Sequence, residues 1–112
     1  MNYVNIELDR PRRIRFDTNA LCDAEEALGV GIGAMMNQQM GFRAIRALLW
    51  AGLRWEDRGL TLERTGALMQ RYLEAGGTFE SLAEAVTKAL LASGLFRTSA
   101  GDEGNGEAEA AT

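Results

Sequence analysis

Along the first sixteen residues apolar and polar positions alternate singly, with Val4, Ile6 and Leu8 set against Tyr3, Asn5 and Glu7, and then Ile14 and Phe16 against Arg13 and Arg15. A period of two puts successive side chains on opposite faces of an extended chain, so each run predicts a half-buried strand. Between the runs, Asp9-Arg10-Pro11-Arg12 carries the only proline, whose fixed φ suits a turn and whose missing N–H would interrupt a ladder. The pattern predicts a β-hairpin over residues 3–16, with Val4, Ile6, Leu8, Ile14 and Phe16 facing inward and the arginines projecting to solvent.

The period lengthens from Asp17 onward. Asp17 or Thr18 can cap a helix in which Leu21, Ala24 and Leu28 recur at three and four residues, and Gly29 ends it. A short segment from Ile32 to Met40 follows between glycines, and Phe42 to Trp55 predicts a longer helix with Phe42, Ile45, Leu48, Leu49, Gly52 and Leu53 on one stripe. Thr61 caps the next helix, with Glu63 in its first turn and Leu62, Met69 and Leu73 along one side, and Gly76-Gly77 stops it. Thr78 caps a last helix carrying Phe79, Leu82, Val86 and Leu90 and ending near Ser93-Gly94. No repeat appears at the periods of solenoids or propellers. The predicted fold class is mainly α, a short N-terminal β-hairpin followed by a compact bundle of four or five helices, in one domain over residues 1–97. From Thr98 to Thr112 the composition is Gly, Ala, Ser, Thr, Asn, Asp and Glu, which buries too little apolar surface to offset chain entropy and predicts a disordered acidic tail over 98–112.

Composition narrows the functional classes. An apolar fraction of 46% and a charged fraction of 25% in 112 residues are those of one ordinary globular domain. No stretch approaches the roughly 18 apolar residues that cross a bilayer. The start Met1-Asn2-Tyr3-Val4-Asn5 lacks the basic and then apolar blocks of a signal peptide, so a cytoplasmic location is expected, with no membrane partner. The single cysteine, Cys22, cannot close an internal disulfide and reads as a small buried hydrophobe. Four of the sixteen acidic residues, Asp102, Glu103, Glu107 and Glu109, lie in the tail; the remaining twelve balance the twelve bases, so the body offers no general attraction to nucleic acid.

Candidate chemistry is sparse. Histidine is absent, which removes the commonest general base and the commonest metal ligand, and one cysteine without histidine makes no ordinary zinc site. The acidic pairs Glu25-Glu26 and Glu56-Asp57 are adjacent residues that point about 100° apart on a helix, and they read as solvated charge. Gly29-Val30-Gly31-Ile32-Gly33 lacks the Gly-Lys-Ser/Thr of a phosphate loop and reads as a joint between helices. No catalytic, cofactor or metal residue is assigned, and the chain is expected not to be an enzyme. Arg10, Arg12, Arg13 and Arg15 could grip phosphates, anionic lipid or an acidic protein, or could simply charge an exposed strand edge. Met35, Met36 and Met40 form a patch of adaptable apolar side chains whose alternative role is core filling. Trp50 lies about 100° off the Leu48-Leu49 stripe and Trp55 falls at the helix end, positions that suit either binding anchors or buried rings.

Two blocks in the middle of the chain, Glu25-Glu26 ahead of Gly29 and Arg46-Ala47-Leu48-Leu49-Trp50-Ala51-Gly52-Leu53 followed by Leu60-Thr61-Leu62-Glu63, resemble the tail assembly chaperones of long-tailed phages, prophages and gene transfer agents. Leu21-Cys22-Asp23-Ala24-Glu25-Glu26-Ala27-Leu28-Gly29-Val30-Gly31-Ile32-Gly33 is similar to the family's E-E-x-x-G entry segment. Phe42-Arg43-Ala44-Ile45-Arg46-Ala47-Leu48-Leu49-Trp50-Ala51-Gly52-Leu53, with Glu56-Asp57 and Leu60-Thr61-Leu62-Glu63 after it, resembles the family's R-A-L-L-W-A-G-L and D-P-x-L-T-L-E stretch. The likeness spans about residues 12–92, and Arg58-Gly59 stand where the family often has a proline. It implies a helical protein without an active site that binds the tape measure protein, keeps that long helical chain soluble, recruits tail tube subunits around it and is absent from the mature particle. Homo-oligomerisation is compatible with this role.

On that basis partner contact is expected at Met35, Met36, Met40, Trp50 and Trp55, with electrostatic help from Arg10, Arg12, Arg13 and Arg15. Two other classes remain in view: a small nucleic-acid-binding regulator that presents the arginine hairpin to phosphates, and a structural tail completion or connector protein whose hairpin extends a neighbour's sheet.

Overall fold

The alternation at the N-terminus forms two antiparallel strands, β1 (Val4–Glu7) and β2 (Pro11–Ile14), in a computed structural model that describes residues 2–36 and 40–95. Val4 pairs with Ile14, Asn5 with Arg13, Ile6 with Arg12 and Glu7 with Pro11. Ile6, Ile14 and Phe16 reach the core as the period predicts, and Val4 and Leu8 pack against it partly buried. Pro11, expected in the turn, is the first residue of β2, a position where a strand tolerates a missing N–H.

Five helices follow: α1 (Thr18–Leu28), α2 (Ile32–Met36), α3 (Phe42–Leu53), α4 (Leu62–Glu74) and α5 (Phe79–Ala92). Their ends are set by local chemistry. The Asp17 carboxylate accepts from the Ala20 N–H at 2.8 Å, the Thr61 hydroxyl from the Arg64 N–H at 3.1 Å, and Thr78 forms a capping box with Ser81. Gly29 closes α1 with a left-handed φ of 76° that a side chain would oppose. After α4, a Cβ on Gly77 would collide with the Tyr72 ring, which its hydroxyl's hydrogen bond with Ser81 holds in place, so glycine suits the turn there.

The central element is α3, which packs against α1, α4, α5 and β2. Its Ile45, Leu48 and Leu49 are fully buried and meet Leu82, Val86 and Leu90 of α5 in one apolar cluster. A two-stranded hairpin is marginal by itself. This one is seated on α3 by a hydrogen bond from the Arg15 N–H to the Gly52 carbonyl at 2.9 Å, and on α5 through β1. Gly52 is the point of closest approach, since a Cβ there would lie 2.6 Å from Ile14 Cγ2. Its place on the apolar stripe therefore reflects backbone contact.

Three burial expectations are corrected. Phe42, placed on the core stripe, is 59% exposed, because the stripe's periodicity runs to the end of the helix while cover by neighbouring elements does not. The inward face of α4 is Thr65, Leu68 and Met69, with Leu62 and Leu73 only partly buried; the Thr65 hydroxyl is satisfied by donation to the Thr61 carbonyl at 2.8 Å. Cys22 is exposed, since it lies two residues, about 200° of helix, from both Ala20 and Ala24, the residues that α1 buries. The tail expected over 98–112 and the centre of the Ile32–Met40 segment lie outside the described residues.

Candidate functional site

The hairpin arginines are used inside the chain. Arg12, expected in solvent, is 4% exposed. Its alternation with Ile14 and Phe16 puts it on the inward face of β2 opposite Ile6, a placement the period-two pattern already contained. Burial of a guanidinium requires counter-charges. Asp9 supplies one through a two-pronged contact, accepting from Arg12 Nε at 2.8 Å and Nη2 at 3.0 Å, and Asp57 supplies another, accepting from Nη1 at 3.1 Å. The hydrogen bonds from Arg12 hold the Asp9 carboxyl down at about 2, and those carboxylates raise the Arg12 pKa in turn.

On the outer face, Arg13 bonds Glu56 and lies 5.0 Å from the ring centres of both Tyr3 and Trp55. The hydrogen bonds from Arg13 lower the Glu56 pKa. Arg15 stands 3.9 Å from Asp17 and Arg10 3.7 Å from Asp9. Glu56 and Asp57, read as solvated charge, are therefore the counter-ions that fasten the hairpin to the loop after α3. Glu25 is likewise engaged, accepting the Ile32 N–H at 2.7 Å across the joint between α1 and α2.

The five residues expected to meet a partner do not form one surface. Trp55 Nε1 donates to the Arg13 carbonyl at 3.0 Å, and Trp50 Nε1 to the Leu60 carbonyl at 2.9 Å, with the Arg54 guanidinium 4.9 Å from the Trp50 ring. Both indoles thus tie the loop and hairpin at the C-terminal end of α3. Met35 is buried, Met36 and Met40 are partly buried, and these belong to the other end.

That other end carries an open apolar surface. A groove of about 290 Å³ is lined by Leu28, Val30, Ala34, Met35, Met40 and Ala44, with Arg43 on its rim. Met40 continues into a second depression of about 290 Å³ formed with Phe79, Ala83, Glu80 and Glu84 of α5. The Phe79 ring contacts Phe42 with centroids 4.4 Å apart, and Phe42 borders a third cleft of about 200 Å³ with Arg43, Arg46, Gly66 and Met69. Val30 is 49% exposed. Val30, Phe42 and Phe79 line these clefts and were not among the contact residues singled out from the sequence.

Among the described residues no group of His, Cys, Asp and Glu side chains is arranged to hold a metal ion, and no helix is long and apolar enough to cross a membrane. Fold and surface together define a mainly helical protein with an N-terminal hairpin and an apolar groove at the opposite end of its central helix. Comparison with protein-family models, with curated proteins and with solved structures finds no match.

Proposed function

We propose that this chain is a tail assembly chaperone of the phage, prophage or gene transfer agent type, which binds the helical tape measure protein in the host cytoplasm, keeps it soluble while tail tube subunits are recruited, and leaves before the particle matures. The observation that carries the reading is the solvent-facing apolar groove from Val30 past Met40 to Phe79, with Phe42 beside it. Such a surface suits the apolar face of an amphipathic helix laid into a groove. The resemblance over about residues 12–92 supplies the identity of that helix. Met35 and Met40 keep their proposed contact role as groove lining, while the role proposed for Trp50 and Trp55 passes to Val30 and Phe42.

Arg10, Arg12, Arg13 and Arg15 each have a carboxylate neighbour within the chain, which weakens the case for a regulator that presents them to phosphates. The test is co-expression with the longest helical open reading frame encoded nearby, followed by size-exclusion chromatography of the soluble fraction. Co-elution with a partner that is insoluble alone is expected. A partner equally soluble with and without this chain overturns the proposal, and the chain's presence in purified particles in stoichiometric amount would favour a connector instead.

A further inference from the structure

Arg43 and Arg46 are three residues apart on α3 and so share a face. Both border the cleft between α3 and α4, and neither has an ion-pair partner among the described residues. The Nε of Arg46 is shielded from solvent and has no acceptor among the described residues. Arg54 Nε is in the same state, but its guanidinium is neutralised by Asp23 at 2.9 Å. Two guanidinium groups lining one cleft without a carboxylate beside them favour an incoming carboxylate there.

The floor of the cleft is Gly66, in the middle of α4, where alanine would favour the helix by about 1 kcal/mol. Packing does not demand a glycine there: a Cβ would meet Arg46 Cδ at 3.5 Å, an ordinary contact. What the missing side chain provides is depth. Phe42 and Met69 add apolar walls.

We propose that this cleft receives an acidic side chain, together with an apolar one a turn away, from an amphipathic helix of a protein partner. The arginine pair takes the carboxylate, and Phe42 and Met69 take the apolar side chain. A polyanionic nucleic acid is the poorer fit, because Glu80 and Glu84 line the depression that meets this cleft through the Phe42–Phe79 contact. The inference rests on the helix-binding reading above and adds to it the partner's charge: acidic residues flanking the apolar stripe, on the side that meets α4.

The test uses the full chain and two fluorescent amphipathic peptides of roughly 20 residues with the same leucine stripe, flanked by Glu in one and by Lys in the other. Fluorescence anisotropy at low salt should show the Glu peptide binding about tenfold tighter, with the difference shrinking as salt rises. The double variant Arg43→Gln/Arg46→Gln should abolish that preference by weakening the Glu peptide and relieving repulsion of the Lys peptide, and Gly66→Leu should weaken both peptides. Equal binding of the two peptides by the native chain, or a preference that survives the double arginine variant, overturns the proposal. So does tighter binding of a DNA duplex than of the Glu peptide. A dimer that dissociates only in the double variant, or a tenfold gain in Glu-peptide affinity on deleting residues 98–112, assigns the cleft to a second copy or to the chain's own acidic tail and overturns it too. Loss of the charge preference with the tape measure partner still held soluble would sink this inference alone; loss of both would sink the chaperone reading with it.

Discussion

At the C-terminal end of α3, Arg12 lies buried between Asp9 and Asp57, Arg13 sits against Glu56, and the Trp50 and Trp55 indoles donate to main-chain carbonyls. At its N-terminal end, roughly 16 Å away for a 12-residue helix, Arg43 and Arg46 have no carboxylate partner among the described residues, Phe42 and Val30 face solvent, and three clefts adjoin. The two ends use the same residue types, arginine and aromatic rings. The difference lies in whether the chain itself supplies the counter-charge. Where a carboxylate stands beside it, arginine fastens one element to another; where none does among the described residues, arginine and apolar surface line open clefts.

The largest expected effect strikes what both ends share. Leu48→Ala would open a cavity in the fully buried centre of α3 and should cost about 2–5 kcal/mol in urea denaturation, loosening hairpin and groove together. Gly52→Val should separate them. Forcing a side chain against Ile14 and Phe16 should cost about 1–3 kcal/mol, and hydrogen exchange should rise in β1 and β2 while the groove-lining helices stay protected.

A sharper contrast comes from the arginines. Arg12→Ala removes the cation between Asp9 and Asp57 and should destabilise by about 2 kcal/mol, whereas Arg43→Gln/Arg46→Gln should change stability by no more than about 0.5 kcal/mol. Equal costs would abolish the distinction between the two ends. Acid should act on the hairpin end in the same sense. The Asp9 pKa falls from 3.8 to about 2 on folding, so its stabilisation is complete above about pH 4, declines as the pH drops through that window and is gone below about 2. Because Asp9 is partly solvated, the loss should be on the order of 1 kcal/mol, visible as a pH-dependent urea midpoint and absent in Arg12→Ala. The smallest effect is at Cys22, which should react with one equivalent of a thiol reagent in the native protein and shift stability by less than about 0.5 kcal/mol.

Much of the architecture was legible from the chain. Alternation located the hairpin, Asp17, Thr61 and Thr78 marked helix starts, and Gly29 and Gly76-Gly77 marked helix ends, because a strand's period and a cap's hydrogen bond depend on residues a few positions apart. The site was less legible. Of the residues expected at a partner contact, Met35 and Met40 line the groove, whereas Trp50 and Trp55 belong to the far end of α3. Val30, Phe42, Gly66 and Phe79 carried no signal strong enough to single them out.

By itself, then, the sequence determined that a hairpin precedes the helices, where α1, α4 and α5 are capped, and which face of α5 is apolar, since these are settled by neighbours within a turn or a ladder step. The tertiary structure alone decided that Arg12 meets two carboxylates on the inward face, that Cys22 and Phe42 are exposed, and which arginines are answered by a carboxylate. The partners of Arg12 and Arg13 in the loop after α3 lie 45 and 43 residues away, and the depth of the cleft beside Arg46 comes from the lack of a side chain on another helix. Burial and charge balance are properties of what stands across a gap in space, and the chain's local pattern records only one side of that gap.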